Sequence, residues 1–376
     1  MDKSKVLLTA HSFWPERTGV AEVVASIATG LQRRGMEIHV ATAAANRHES
    51  HELMQGLRVH RFPVWGNIVS GITGAQEAYK SFVHGTEWDA VIMHCAQIWT
   101  SDLILLDEPP LKARRTIFVS HGMSQYSNPA YEGYFERLAL ALKRCDAMVA
   151  LSSVLEEERF CSRYGLSRPH LIPNGVHLRE WSNSPLGLRE RLGIGNRPWI
   201  VNVSNHYPAK NHGAFFRVLH QLRKSVPEVK GSIIGKPHTR HFKGIPVGRG
   251  GCWYSCRLQS SLNPAVSLLS GLSRGELASA VQEADVFALT SRWEASPLVI
   301  LESMAAGTPW VSLRVGNVGE TPGGVVVDTE EEMSEALREL LAAGSRTRKE
   351  MGAAGRIAAE RLDWECIVSN YQRMIA

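Results

Sequence analysis

The stretch "SRWEASPLVILESMAAGTP", residues 291–309, opens as a charged, aromatic loop and turns at once into an apolar run. It follows "DVFALTS" (285–291), which reads as a buried strand. Ser296-Pro297 is a strong helix start: the serine caps, and the proline sits in a first turn where its missing N–H costs nothing. The helix then runs to about Ala306, and Gly307-Thr308-Pro309 stops it. This order puts loop 291–296 at the carboxyl end of a strand, where open α/β sheets bind ligands. The N–H groups over 297–299, Leu298 among them, favour an anion, most naturally phosphate. Glu294 precedes the helix and can project past that anion. Glu302 lies about one and a half turns in, where its carboxylate can accept hydrogen bonds from a diol such as a ribose. The plainer alternative is that both acids are solvated and only complement the helix dipole.

The same alternation recurs on both sides of this unit. "KVLLTA" (5–10) is a strand, and Val20, Val23, Val24, Ile27, Ala28 and Leu31 then recur at helical spacing up to Gly35. "EIHVATA" (37–43), "GLRVHRF" (56–62), "DAVIMH" (89–94), "RTIFVSH" (115–121) and "DAMVALS" (146–152) are further strand candidates. Pro, Asn, Gly and Ser cluster over 171–198, which predicts an interdomain linker with a hinge about 177–198. The pattern restarts at "WIVNVS" (199–204) and continues through "KGSIIG" (230–235) and "AVSLLSG" (265–271). Ser273 followed by Glu276 is a capping box, and "TPWVSLR" (308–314) and "GGVVVD" (323–328) follow the opening stretch. The fold class is α/β: two Rossmann-like, doubly wound domains in tandem, 1–176 and 177–360, facing across a cleft, with a closing helix over 361–376.

Composition fits this reading. The 376 residues are 44% hydrophobic and 21% charged, enough for two cores without disulfides. No apolar run reaches the ~20 residues of a membrane span, and the N-terminus reads as a first strand, not a signal peptide. The six cysteines are scattered, and Cys252 and Cys256 lack the usual two-residue zinc spacing, which points to reduced thiols in a cytoplasmic protein. The net charge of +5 suits phosphate-bearing ligands or peripheral contact with an anionic membrane surface. Lys236, His238, Arg240, His241, Lys243 and Arg249 concentrate in "GKPHTRHFKGIPVGRGG" (235–251), a solvated loop or a phosphate contact.

The E-x7-E strand–loop–helix ending in A-x-G-T-P resembles the donor site of family 4 glycosyltransferases of the GT-B fold. "SFWPERTGVAEVVASIATGLQRRGMEIHVAT", "VSHG" (119–122), "LIPNGV" (171–176) and "NVSNHYPAKNH" (202–212) resemble other segments of that family in the same order. The resemblance implies retaining transfer of a sugar from a nucleotide-diphosphate donor. It places Glu294 near the anomeric carbon, Glu302 on the ribose, Lys210 on the diphosphate, Gly19 where backbone nears the phosphates, and His121 beside the donor sugar. It implies donor contacts at Ser296, Pro297 and Leu298 as well. Three positions depart from the pattern. Asn205 stands where the family has an arginine, Thr18-Gly19 replaces paired glycines, and His177 replaces an aspartate. Segment 236–264 has no counterpart.

Departure of a diphosphate needs fixed cations and N–H dipoles, and Lys210, the helix start and the Gly19 loop are the candidates. No Asp-x-Asp pair occurs in the chain, so the chemistry is expected to be metal-independent, without a cofactor. The acceptor is open: a glycan, a lipid-linked or small molecule, or a nucleic acid, although no recognition motif supports the last. Two rivals stand beside this reading. A dinucleotide oxidoreductase would need G-x-G-x-x-G after the first strand, where this chain has H-S-F-W-P-E-R-T-G-V. A non-catalytic nucleotide-sugar or glycan binder would share the fold.

Overall fold

A computed structural model of the chain describes residues 3–44, 50–106, 111–183, 185–242 and 245–376, and the side chains of 238–249 are not among those described. The basic side chains Arg240, Lys243 and Arg249, with His238 and His241, therefore lie outside the described residues. The chain divides into two compact units, Met1–Asn174 with Trp364–Ala376, and Gly175–Asp363.

The first unit contains β1 (Lys5–Thr9), β2 (Glu37–Ala43), β3 (Ser50–Met54), β4 (Leu57–Phe62), β5 (Val64–Asn67), β6 (Gly71–Gly74), β7 (Trp88–His94), β8 (Ala113–Val119), β9 (Ala147–Ala150) and β10 (His170–Leu171). Eight of them form one sheet in the order β10-β9-β8-β7-β1-β2-β4-β3. All its pairings are parallel except β3–β4. Val6, Leu7 and Leu8 of β1 are fully buried, as a central parallel strand covered on both faces must be. Strand order reverses at β1, between β2 and β7, which makes that point the switch of the sheet. The helix Gly19–Arg33 buries Val23, Val24, Ile27 and Leu31, the face its spacing predicts, and Thr18 Oγ1 caps it by accepting from Ala21 N at 3.1 Å. The C-terminal helix Trp364–Ile375 belongs to this unit. Its Val368 sits so close to Gly30 that a Cβ there would meet Val368 Cγ2 at 2.6 Å.

The second unit contains β11 (Trp199–Val203), β12 (Lys230–Ile234), β13 (His238–Phe242), β14 (Ile245–Gly250), β15 (Val266–Leu269), β16 (Val286–Leu289), β17 (Trp310–Leu313) and β18 (Gly324–Val327). Six form an all-parallel sheet in the order β15-β12-β11-β16-β17-β18. This is the doubly wound order with its switch point between β11 and β16. Phe215, Leu219, Met333 and Leu337 cover one face, and Trp181, Ile300, Met304 and Trp310 belong to the core of the other.

Two expectations need correction, and one segment left without a counterpart takes form. The expected linker is folded: Leu178–Ser182 and Leu188–Arg191 are short helices, and Trp181, Leu188 and Ile194 are buried in the second unit's core. Its Pro, Asn and Gly residues shape turns between short helices, and the chain passes between units at 174/175 and again at 363/364. Strand β8 ends at Val119, so His121 lies in the turn beyond the strand and does not end it. Within 236–264, the described residues form the antiparallel pair β13–β14 and the helix Trp253–Leu262.

Candidate active site

The two strands at the second unit's switch point each feed one charged residue. After β11 comes the turn Pro208–Lys210, then Asn211 in a left-handed conformation (φ 50°) that starts the helix His212–Leu222. After β16 comes the loop carrying Glu294. Arg292 N donates to Ala209 O at 2.8 Å, and Thr290 Oγ1 donates to Lys210 O at 3.2 Å, so the two loops are stitched together. Their side chains meet: Lys210 Nζ is 2.6 Å from Glu294 Oε1, with 27% and 12% side-chain exposure. Ser291 Oγ donates to the same oxygen at 2.7 Å, which fixes the carboxylate. Gly316 clamps this loop from β17's end. Its φ of 49° and the 2.2 Å that would separate a Cβ from Ala295 O leave room for glycine alone.

The helix of the opening stretch spans Leu298–Ala306, one residue later than the Ser-Pro pair suggests. Pro297 is itself the N-cap, with φ −71° and ψ 114°, and no side chain caps the helix. Pro297 has no N–H, so the expected donor set over 297–299 reduces to Leu298 and Val299, which have no acceptor within the helix. Ser296 Oγ accepts instead from Asn317 Nδ2 at 3.2 Å. Glu302 is buried on this helix, and Arg274 reaches it at 3.3 Å. Arg274 also bonds Glu180 at 2.6 Å and lies over the Trp181 ring, 4.9 Å from its centroid. Asn205, in place of an arginine, accepts from Lys236 N through Oδ1 at 3.0 Å, tying the loop after β11 to the start of the hairpin.

The first unit places its candidates at its own switch point and one strand over. Gly19 is the first residue of the helix after β1, exposed, with open space where a Cβ would stand. His121 has φ 55°, followed by Gly122 at φ 88°, a left-handed pair that turns the chain after β8. His121 Nε2 lies 2.8 Å from Nδ1 of His94, the last residue of β7. Burial pushes His121 down to about 4, and pushes His94 well below the ordinary imidazole range with help from His121. Both rings are therefore neutral near pH 7. Glu157 holds the turn, accepting from Gly122 N at 3.1 Å and from Ser120 Oγ, and burial raises its carboxyl.

Sequence reading missed Arg274, Glu180, Ser291, Gly316, His94 and Glu157. Ser291 stands three residues before the acid it supports, and a search for polar groups there would have raised it, whereas Gly316 reaches the loop from 22 residues downstream. Arg274, Glu180, His94 and Glu157 come from other elements and become neighbours only through the sheet order. Among the described residues, His206, His212, Cys252 and Cys256 have the makings of a metal centre, with ligand atoms within 4.8 Å of one another.

Two doubly wound units, each with candidate residues at the switch point of its sheet, are the architecture of GT-B glycosyltransferases. The family model described as Glycosyltransferase Family 4 matches residues 17–180, and the one described as Glycosyl transferases group 1 matches 188–358. The chain belongs to the family 4 glycosyltransferases. It is 32% identical over 229 residues to the GDP-mannose-dependent alpha-(1-6)-phosphatidylinositol monomannoside mannosyltransferase of Mycolicibacterium smegmatis, an alignment covering 56% of each. The chain thus spans about half the length of that relative. It is 26% identical over 389 residues to the D-inositol 3-phosphate glycosyltransferase of Xylanimonas cellulosilytica, covering 92% of this chain and 88% of the relative. In fold it is similar to the sucrose-phosphate synthase from Thermosynechococcus elongatus, with a TM-score of 0.79 at 16% identity, covering 99% and 98% of the two chains. No helix among the described residues is long and apolar enough to cross a membrane.

Proposed function

We propose that this glycosyltransferase moves a glycosyl group from a nucleoside-diphosphate sugar to an acceptor hydroxyl, retains the anomeric configuration, and uses no metal at the diphosphate. The observation that carries this reading is the Lys210–Glu294 pair beside the open N–H groups of Leu298 and Val299. Lys210 and those N–H groups meet the charge that develops on the leaving diphosphate. Glu294 receives sugar hydroxyls, and Glu302 receives the ribose diol. The bond from the anomeric carbon to the phosphate oxygen breaks, the acceptor oxygen bonds on the same face, and its proton goes to the departing phosphate. Glu294 is tied to Lys210 and Ser291, which suits hydroxyl recognition better than nucleophilic attack.

The acceptor is proposed as a polyol or a lipid-linked glycan, because both curated relatives are named for inositol-bearing acceptors. The test pairs GDP-mannose, the donor in one relative's name, and other nucleotide sugars with such acceptors. Nucleoside diphosphate release is measured with and without added Mg2+ or Mn2+, and the product's anomeric configuration by NMR. An inverted product, or release only with added divalent cation, would overturn the reading.

A further inference from the structure

Four residues that the donor chemistry does not use converge beside it. His206 lies in the loop after β11 and His212 opens the following helix, while Cys252 and Cys256 lie at and within the start of the helix Trp253–Leu262. His206, His212 and Cys256 are buried and Cys252 is partly so. The distances are Nδ1 to Nδ1 of the two histidines 3.2 Å, Cys252 Sγ to His212 Nδ1 3.2 Å, Cys252 Sγ to His206 Nδ1 3.6 Å, and Cys256 Sγ to His212 Nδ1 3.8 Å. A tetrahedral zinc with bonds of about 2.0–2.1 Å to nitrogen and about 2.3 Å to sulfur sets edges of about 3.3 Å for N–N and about 3.6 Å for N–S. The four distances given lie close to those edges, and no pair of ligand atoms is more than 4.8 Å apart.

The surroundings select the ligating tautomer. Asn202 Nδ2 donates to Ala288 O at 2.8 Å, so its Oδ1 is the acceptor for Ser204 Oγ at 2.6 Å. The Ser204 hydroxyl has then spent its proton and accepts from His212 Nε2–H at 2.7 Å. That leaves His212 Nδ1 as a bare lone pair facing the two sulfurs, the outer-shell arrangement by which metal-binding histidines are oriented. The Trp253 ring packs edge-on against His206, centroids 4.8 Å apart, and screens the group from water.

We propose that His206, His212, Cys252 and Cys256 bind one zinc ion in a closed tetrahedral site. Four protein ligands leave no open position, so the ion is structural and not a Lewis acid for transfer. It ties two pieces of the second unit together. One is the loop 204–212 that carries Lys210; the other is the helix that follows the β13–β14 hairpin. Binding converts the two thiols to thiolates and releases their protons to solvent. The cysteine spacing alone gives no such signal, because the histidines come from 40 to 50 residues upstream along the chain.

The metal content of the full-length chain, purified without chelator, tests this without reference to sugar transfer. We expect about one zinc per chain, released when the thiols are modified. The double variant Cys252→Ser with Cys256→Ser should lose it, while Cys145→Ser with Cys366→Ser should keep it. If the double variant fails to fold, cobalt loaded into the wild-type chain still decides. Strong visible bands and a thiolate charge-transfer band indicate a tetrahedral sulfur site. Zinc below about a tenth of an equivalent after dialysis against zinc, weak octahedral cobalt bands, or a Cys252–Cys256 disulfide in the native protein would each overturn the proposal. Transfer activity lost with the zinc site intact bears on the proposed function alone.

Discussion

Lys210 Nζ stands 2.6 Å from Glu294 Oε1 although 84 residues separate them, because β11 and β16 are neighbours at the switch point of the second sheet. The lysine's charge is met by the acid. Under the proposed function, a diphosphate competes with Glu294 for Lys210, and the acid turns to the sugar as the lysine turns to phosphate. On that reading the pair couples donor binding to sugar recognition, and the following variants test it.

Lys210→Ala should lower kcat by about 10²–10³-fold, the usual cost of removing a preorganised charge from a developing anion. It should also weaken nucleoside diphosphate binding. Glu294→Gln keeps an acceptor for Ser291 and removes the competing charge, so nucleoside diphosphate should bind as well as in the wild type or tighter, while transfer falls about 100-fold. Calorimetric titration with the diphosphate, set beside steady-state rates, separates the two. Weaker diphosphate binding in Glu294→Gln would show that the ion pair is not a competitor.

Arg274 joins Glu302 at 3.3 Å, Glu180 at 2.6 Å and the Trp181 ring. Glu302 is buried, so a lost cation there is costly. Arg274→Ala should destabilise the fold by about 1–3 kcal/mol, discounted from a fully buried pair because the arginine is partly exposed. Arg274→Lys should fall between, since an ammonium cannot span both carboxylates while stacking on the indole. Urea unfolding of the three proteins gives the order. Nucleoside affinity should follow it, because Arg274 orients the carboxylate proposed to hold the ribose.

Much of this was legible in the sequence, and the limits have physical causes. Strand β2 runs over Glu37–Ala43, the range its β-branched alternation predicts, and the Ser273–Glu276 capping box forms as read. Local chemistry settles such features. The helix starts at Leu298, one residue later than the local capping rule predicts, because Ser296 Oγ accepts from Asn317 Nδ2 and caps no helix N–H, a tertiary contact that local chemistry does not reveal. Segment 171–198 was misread as a linker because turn residues between short helices look like linker residues. Trp181, Leu188 and Ile194 were the contrary signal: apolar side chains of that size are seldom left in a solvated hinge. Glu294 and Glu302 could be named from one strand–loop–helix and Lys210 from the segment 202–212, but the pairing of Lys210 with Glu294, and Arg274 altogether, could not, because they arrive on other elements.

The His94–His121 pair makes stability depend on pH. Both folded-state values lie below the ordinary imidazole value of 6.5, with His121 near 4. Between those limits the unfolded chain binds protons that the folded chain refuses. The stabilisation is therefore complete above about pH 6.5 and is lost as pH falls toward 4, by up to about 3 kcal/mol for His121. Asparagine tolerates the left-handed backbone at 121, so His121→Asn should fold at neutral pH. Its urea midpoint should drop less than the wild type's between about pH 7.5 and pH 5. Equal drops would mean that His121 already titrates normally in the folded protein.

Gly316 tests whether the acid's loop must be held rigidly for transfer. A Cβ at 316 would sit 2.2 Å from Ala295 O and 2.7 Å from Glu294 O, both backbone atoms that cannot rotate away. The left-handed φ of 49° adds strain for any other residue. Gly316→Ala must therefore push the 294–295 backbone outward, carrying Glu294 away from Lys210. The fold should survive with a loss of about 1–3 kcal/mol, while kcat falls by about 10²-fold, since displacements near 1 Å at a reacting group have that cost. Asn317→Ala removes only the side-chain bond to Ser296 and leaves the backbone clamp, Asn317 N to Ala295 O at 3.0 Å, in place. It should keep most of the wild-type rate. Equal rates for the two variants at matched stability would show that the loop's position, and with it Glu294's, does not limit transfer.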